Sequence, residues 1–267
     1  MAKIGFIGMG NMGYAMLKGA LKVFDKSEII FSDANEDRMK RVEKETGVEY
    51  VLSNAECANL AKYIVLAVKP QYFDVVLRNI ENIVTPEHVV ISIAAGIKMD
   101  YLQSGLGSSI RIVRAMPNTP ALLGEGMTGI TYDAAKFNFE EQEVIKKLFT
   151  SIGRAKRVEE SMMNTVTCAS GSSPAYVYMF IEALADSAVK YGMQRADAYE
   201  FVAQTVMGSA KMVLETKAHP GLLKDMVCSP AGTTIAGVEE LEAEGFRSAI
   251  MKATDACYAR AKELEAQ

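Results

Sequence analysis

Lys3-Ile-Gly-Phe-Ile7 runs directly into Gly8-Met-Gly-Asn-Met-Gly13 and then into Tyr14-Ala-Met-Leu-Lys-Gly-Ala-Leu21. A strand-like run, glycines spaced G-x-G-x-x-G and a helix-compatible segment follow one another in the order that a dinucleotide-binding βαβ unit requires. Gly8 suits the tight turn, Gly10 leaves backbone N–H groups open to a pyrophosphate, and Gly13 lets the helix lie close on the strand. A second apolar run, Ile29-Ile-Phe-Ser-Asp33, ends in an acid about 20 residues past the last glycine, where a ribose-binding carboxylate belongs. The glycines alone would also fit a turn in another α/β protein. The acid at that distance favours a nicotinamide or flavin dinucleotide.

The rest of the first half repeats the strand-then-helix rhythm of a doubly wound sheet. Asn35 to Thr46 is charged and helix-forming, with Gly47 placed to end it. Val48-Glu-Tyr-Val-Leu52 fits a short strand, and Ser53 stands three residues before Glu56, as at a capped helix start. Tyr63-Ile-Val-Leu-Ala-Val68 and Val89-Val-Ile-Ser-Ile93 are unbroken apolar runs, the pattern of parallel strands covered on both faces. Gln71 to Ile83 and Phe139 to Ser151 read as helices, Arg111 to Arg114 as a strand, and Gly126 to Tyr132 and Arg154 to Val158 as edge strands. Met116-Pro-Asn-Thr-Pro120 is an extended turn bracketed by prolines. Ligands of such sheets sit beyond the C-terminal strand ends, which makes Gly8 to Gly13, Asp33, Ala67 to Pro70, Ala94 to Gly96 and Met116 to Pro120 the candidate binding loops.

With 267 residues the chain has room for two domains, and its 49% hydrophobic and 23% charged residues are those of a soluble globular protein. A formal net charge of −4 offers no field for nucleic acid or an anionic membrane. Cys57, Cys168, Cys228 and Cys257 have no metal-site spacing and His88 and His219 lie far from them, so neither a metal site nor a disulfide framework is expected. The first residues lead straight into the glycine motif, and no apolar stretch reaches spanning length without a charge. No signal peptide or membrane span is expected, and a cytoplasmic location with reduced thiols fits.

Past about residue 160 the pattern turns helical. Pro174 to Tyr191 is one long apolar helix, with Ser173 suited to cap it and Gly192 to end it. A tail of this size has little with which to cover such a helix, so a subunit interface is expected, the centre of a monomeric helical domain being the other possibility. Arg195 to Glu215, Pro220 to Met226, Ile235 to Ala243 and Phe246 to Glu265 are further helices. Cys228-Ser-Pro-Ala-Gly-Thr-Thr234 presents hydroxyls and open N–H groups at a helix start, which suit a carboxylate and equally make an ordinary cap and turn.

These residues carry a resemblance to the pyrroline-5-carboxylate reductases, the enzymes of the last step of proline biosynthesis. It rests on the Gly8 to Gly13 motif, Ala67-Val-Lys-Pro70, Ile93-Ala-Ala-Gly96, Arg114-Ala-Met-Pro-Asn-Thr-Pro120, Ser170-Gly-Ser-Ser-Pro-Ala-Tyr176, Gly208-Ser-Ala-Lys-Met212 and the block from His219 to Thr234. The resemblance implies an α/β fold, a Rossmann-like doubly wound sheet over residues 1–160, followed by an all-helical dimerisation and substrate-binding domain over 161–267. It further implies a homodimer or larger homo-oligomer with interleaved helices, whose active site joins the cofactor of one subunit to the Ser229 to Thr234 loop of another.

By the same resemblance, Thr234 hydrogen-bonds the ring nitrogen of a cyclic imino acid, and Ser229, Gly232 and Thr233 hold its carboxylate. Phe6, Ile7, Gly8, Met9, Gly10, Asn11 and Met12 surround the pyrophosphate, and Asn54 lies near the adenosine ribose. Ala67, Val68, Lys69 and Pro70, with Ala94, Ala95 and Gly96, line the nicotinamide half. Lys69 is also what a solvated strand end carries, and the prolines beside Asn118 make a structural role as natural as one at the cofactor. Many relatives have a small neutral residue at the position of Asp33. A carboxylate there accepts from ribose hydroxyls and repels a 2′-phosphate, while Arg38 and Lys40 are several residues downstream, so NADH is expected over NADPH. A β-hydroxyacid dehydrogenase would need a lysine in the substrate helix, and Gly171 to Met179 has none. A non-catalytic dinucleotide sensor would have no use for the Ser229 to Thr234 loop.

Overall fold

The computed structural model describes residues 2–265. Residues up to Ser172, together with those from Cys257 onward, form one compact unit, and Ser173–Ala256 form a second. The sequence pattern changes near residue 160, where the boundary was expected; compactness groups 161–172 and the end of the last helix with the sheet.

The first unit holds a seven-stranded sheet in the order β2-β1-β3-β4-β5-β6-β7. Its strands are β1 (Ala2–Ile7), β2 (Ile29–Ser32), β3 (Ala61–Leu66), β4 (Val89–Ser92), β5 (Arg111–Met116), β6 (Gly126–Thr131) and β7 (Gly153–Arg157). Its helices are α1 (Asn11–Ala20), α2 (Glu36–Thr46), α3 (Asn54–Leu60), α4 (Phe73–Ile80), α5 (Met99–Leu106), α6 (Phe139–Thr150) and α7 (Met163–Val166). All neighbours pair in parallel except β5 with β6, which run antiparallel. The sheet is thus the Rossmann-like one expected. The unbroken apolar runs have the predicted cause: Tyr63 and Val65 of β3 enter the core on one face, and Ile64 and Leu66 enter a separate core on the other.

Three local expectations are corrected. Val48 to Leu52 forms no strand, only a single bridge between Tyr50 and Phe31. The Met116 to Pro120 segment is not extended throughout, because a short 3-10 turn, Thr119–Leu123, begins inside it with Pro120 in the first turn, where a missing N–H costs nothing. β6 is internal rather than an edge, with β7 outside it. Its glycines serve close approach: a Cβ on Gly129 would come within 2.7 Å of Val166 Cγ1, and one on Gly126 within 2.7 Å of the Ile152 carbonyl.

The second unit is helical: α8 (Ser173–Lys190), α9 (Arg195–Thr216), α10 (Pro220–Val227), α11 (Thr233–Ala243) and most of α12 (Phe246–Glu265). Helices α8 and α9 enclose a small core of Ala185, Ala198 and Val202. Much of the unit's apolar surface stays open, with Met179, Phe201 and Met251 each at least 66% exposed. An open apolar surface of this extent is the mark of a protein interface rather than of a self-sufficient domain. Among the described residues no helix is long and apolar enough to cross a membrane.

Candidate active site

The C-terminal ends of β1, β2, β3 and β4 open on a cleft of about 1050 Å3 in the first unit. Gly8 takes φ +101°, a conformation that favours glycine, and a Cβ there would lie 2.8 Å from the Ala67 carbonyl. Gly13 brings α1 against the turn so closely that a Cβ would stand 2.2 Å from the Gly8 carbonyl. Gly10 differs from both, since a Cβ on it would meet nothing within 4 Å. It is the N-cap of α1, no side chain caps the helix there, and the first turn holds no acid. The N–H groups at that helix start therefore face the cleft unblocked, a cradle suited to a pyrophosphate.

Asp33 closes the adjoining end. Its Oδ2 accepts from the Met9 N–H at 2.6 Å and its Oδ1 from the Asn35 N–H at 2.8 Å, so the acid is tied to the glycine turn. Arg38, in the first turn of α2, places Nη1 3.2 Å from Asp33 Oδ2, and the aspartate side chain is only 7% exposed. The Asn35 side chain caps α2 by accepting from the Arg38 N–H at 2.8 Å, which sets the start of the helix that carries the guanidinium. At the opposite wall, Ser32 Oγ lies 3.1 Å from Asn54 Oδ1 and donates to it, which leaves the amide N–H2 group of Asn54 for the cleft.

Of the residues expected at a cofactor, Gly8, Gly10, Asn11, Met12, Asp33, Asn54, Ala67, Val68, Lys69, Pro70, Ala94 and Ala95 line this one cleft. Phe6 and Ile7 sit beneath it with side chains in the core, and Met9 contributes its N–H to Asp33. Gly96, at φ +78°, abuts Leu264. Asn118 does not line the cleft: its Nδ2 donates to the Ser170 carbonyl at 3.1 Å and its Oδ1 accepts from the Met127 N–H at 2.9 Å. Sequence reasoning passed over Arg38, Leu52 and Tyr72, which also line the cleft. Leu52 and Tyr72, 77% and 55% exposed, add apolar surface to its rim.

The second unit holds the other expected group. The Gly232 N–H donates to the Ser229 carbonyl at 3.1 Å, closing a turn with Pro230 at its second position and Ala231 at φ +55° at its third. A Cβ on Gly232 would fall 2.3 Å from Ser229 Oγ and 3.1 Å from the Ser229 carbonyl, so any larger residue would make the Ser229 side chain turn away. Gly232 is also the N-cap of α11 and supplies no side-chain cap, and Thr233 and Thr234 are the first two residues of that helix. Ser229, Gly232, Thr233 and Thr234 therefore converge on one helix start with hydroxyls and N–H groups, a donor set for a carboxylate. His219, nearby in sequence, is occupied as the cap of α10, accepting from the Gly221 N–H at 3.0 Å.

Comparison with known proteins places relatives along the full length. A family model for pyrroline-5-carboxylate reductase dimerisation matches residues 160–264, and one for coenzyme F420-dependent NADP oxidoreductases matches residues 3–96. The chain is 46% identical over 264 residues to a pyrroline-5-carboxylate reductase of Escherichia coli, covering 98% of each chain. It is 43% identical to one from Methanosarcina acetivorans, covering 98% of this chain and 97% of that one. Among solved structures, a Plasmodium falciparum pyrroline carboxylate reductase with NADP bound superposes with a TM-score of 0.89 at 34% identity, covering 99% of this chain and 98% of that one.

Proposed function

The chain belongs to the pyrroline-5-carboxylate reductase family, and from that premise we propose that it reduces 1-pyrroline-5-carboxylate to L-proline at the expense of NADH or NADPH, the last step of proline biosynthesis. The observation that carries the reading is the convergence of the strand-end loops on one cleft whose glycine turn and uncapped helix start suit a dinucleotide pyrophosphate. Bound there, a reduced nicotinamide supplies a hydride to the C=N carbon of the imine. The protein's own part is positioning and charge complementarity, because a protonated imine is already a strong electrophile.

In this reading Thr234 Oγ1 accepts from the protonated ring nitrogen, and Ser229 with the Gly232 to Thr233 backbone fixes the substrate carboxylate. The N–H groups at the start of α11 add a favourable field for that anion. Asn54 and Asp33 take the adenosine ribose, Met12 and its glycine neighbours the pyrophosphate, and Ala67 to Pro70 with Ala94 to Gly96 the nicotinamide half. Asn118 shapes the region from behind by holding the Met127 and Ser170 backbone. Asp33 tilts the cofactor choice towards NADH, since its carboxylate matches paired ribose hydroxyls.

The working assembly is at least a homodimer, with residues 161–267 as the dimerisation and substrate-binding part, 1–160 as the dinucleotide part, and the Ser229 loop serving the cofactor of a partner copy. The open apolar surface of α8, α9 and α12 supports that assignment. A cytoplasmic location accords with cysteines that are all free. The test is a spectrophotometric assay with 1-pyrroline-5-carboxylate, following NADH and NADPH oxidation in parallel. Turnover with either is the expected result. A folded protein that binds a dinucleotide but turns over neither would sink the proposal.

A further inference from the structure

We propose that Arg114 is a positioning residue: through Glu160 and Glu265 it sets the Ala94 to Gly96 loop, and with it the nicotinamide end of the cleft. The inference rests on the reading of that loop as the nicotinamide half of the site. Arg114 lies on β5, next to the β4 strand that leads into the loop, and its side chain is 3% exposed. A guanidinium so buried needs paired anions. It has two: Nη1 donates to Glu160 Oε1 at 3.1 Å and Nη2 to Glu265 Oε1 at 2.9 Å.

Each carboxylate has a second task beside the loop. Glu160 Oε1 also accepts from the N–H of Met99 at 2.8 Å. Met99 is the first residue of α5, the helix that follows the loop, and its N-cap residue Lys98 provides no side-chain cap. A carboxylate 61 residues downstream therefore caps α5. Glu265 Oε2 accepts from Asn164 Nδ2 at 2.9 Å and lies 3.5 Å from Lys98 Nζ. Its neighbour Leu264 presses on the loop, where a Cβ on Gly96 would come within 3.1 Å of Leu264 Cβ. The loop is thus fixed on its helix side by Glu160 and at Gly96 by the last turn of α12, and the fork of Arg114 joins the two. Lysine offers one point charge where this geometry uses two separate N–H groups. Burial pushes the Glu265 carboxyl up, but hydrogen bonds from Arg114 and Asn164 and the charges of Arg114 and Lys98 outweigh it and hold the group below the usual carboxylate range.

The test compares NADH with ADP-ribose, which has the adenosine and pyrophosphate but no nicotinamide. Glu265→Gln and Arg114→Lys are expected to lower kcat/KM for NADH about tenfold, as misplacement of a reacting group does, while the Kd for ADP-ribose stays unchanged. Equal losses with NADH and ADP-ribose, or no loss with NADH, overturn the inference. Should Arg114→Lys fail to fold, Glu265→Gln decides alone. Gly96→Ala separates the premise from the inference. A normal NADH response there overturns the reading of the loop, whereas a loss there with normal Glu265→Gln kinetics overturns only the role of Arg114.

Discussion

Arg38 Nη1 rests 3.2 Å from Asp33 Oδ2, so the acid that follows β2 meets the cleft already paired with a cation. The sequence alone had set Arg38 aside as several residues downstream, but the short turn from β2 to α2 brings it onto the carboxylate. The pair offers both chemistries to an adenosine ribose, an acceptor for hydroxyls and a donor fork for a 2′-phosphate. Asp33→Ser is expected to shift the NADH to NADPH ratio of kcat/KM towards NADPH by roughly tenfold or more, the scale of a hydrogen bond to a charged group. Arg38→Met should shift it the other way, because the remaining carboxylate repels the phosphate unopposed. Parallel kinetics with both cofactors measure the two shifts, and an unchanged ratio in Asp33→Ser refutes the assignment of Asp33.

Gly10 and Gly13 should fail differently when a methyl is added. At Gly13 the methyl meets the Gly8 carbonyl at 2.2 Å and Ala67 Cβ at 3.1 Å, so Gly13→Ala forces the helix off the turn and costs about 1–3 kcal/mol of stability. At Gly10 the methyl points into open space. Gly10→Ala should keep its Tm and lose dinucleotide affinity, since the methyl stands where the pyrophosphate approaches the backbone. Thermal melts beside NADH titrations distinguish the two, and a drop in Tm for Gly10→Ala would contradict the geometry.

Thr234 and Ser229 should separate chemistry from binding. Thr234→Val keeps the shape and removes the hydroxyl, and it is expected to lower kcat/KM for the imine by roughly ten- to a hundredfold, the scale of a lost hydrogen bond to a charged group. Ser229→Ala should act chiefly on KM for the imine, and neither variant should change KM for NADH. Steady-state kinetics with each substrate varied in turn provide the check.

Glu141 links stability to acid. It is 3% exposed, with Oε2 2.6 Å from Arg111 Nη1 and Oε1 2.8 Å from Lys62 Nζ. Burial raises its pKa, yet hydrogen bonds from Lys62 and Arg111, the Asn138 N–H and the Arg111 charge outweigh that and leave it below 4.5. A depressed folded value means that the ionised group stabilises the fold at and above its unfolded value. That contribution is lost as pH falls below about 4.5 and through the folded value. Glu141→Gln should cost about 3 kcal/mol near neutral pH, as breaking a buried pair does, and should flatten the acid limb of the stability profile. Urea unfolding at a series of pH values tests both, and an acid limb as steep as the parent's would assign the pH dependence to other carboxylates.

Much of the fold and part of the site could be read along the chain, because the relevant physics is local. The glycine turn, the buried parallel strands, the Ser53 and Gly47 ends of helices and the helix over Phe246–Glu265 each follow from residues within a few positions of one another. That the loops after β1, β2, β3 and β4 line one cleft was legible for the same reason, since a parallel sheet delivers its C-terminal strand ends to one edge. The failures were local patterns overruled by distant neighbours. Val48 to Leu52 has strand composition, but it hangs beside edge strand β2 with one bridge to Phe31. Where the pattern around Asn118 left a ligand role and a scaffold role both open, its amide partners, the Ser170 and Met127 backbone, are likewise distant in sequence and no local pattern names them.

By itself the sequence determined the layered sheet, the strand-end loops that line the cleft, the helical second half and the family, since periodicity, turn chemistry and motif spacing are properties of contiguous residues. Tertiary structure alone decided which polar and charged side chains meet. Arg38 on Asp33, Ser32 on Asn54, and Arg114 between Glu160 and Glu265 join separate elements. A hydrogen bond or ion pair depends on ångström-scale separation in space, and that separation is set by packing of the whole unit rather than by position along the chain.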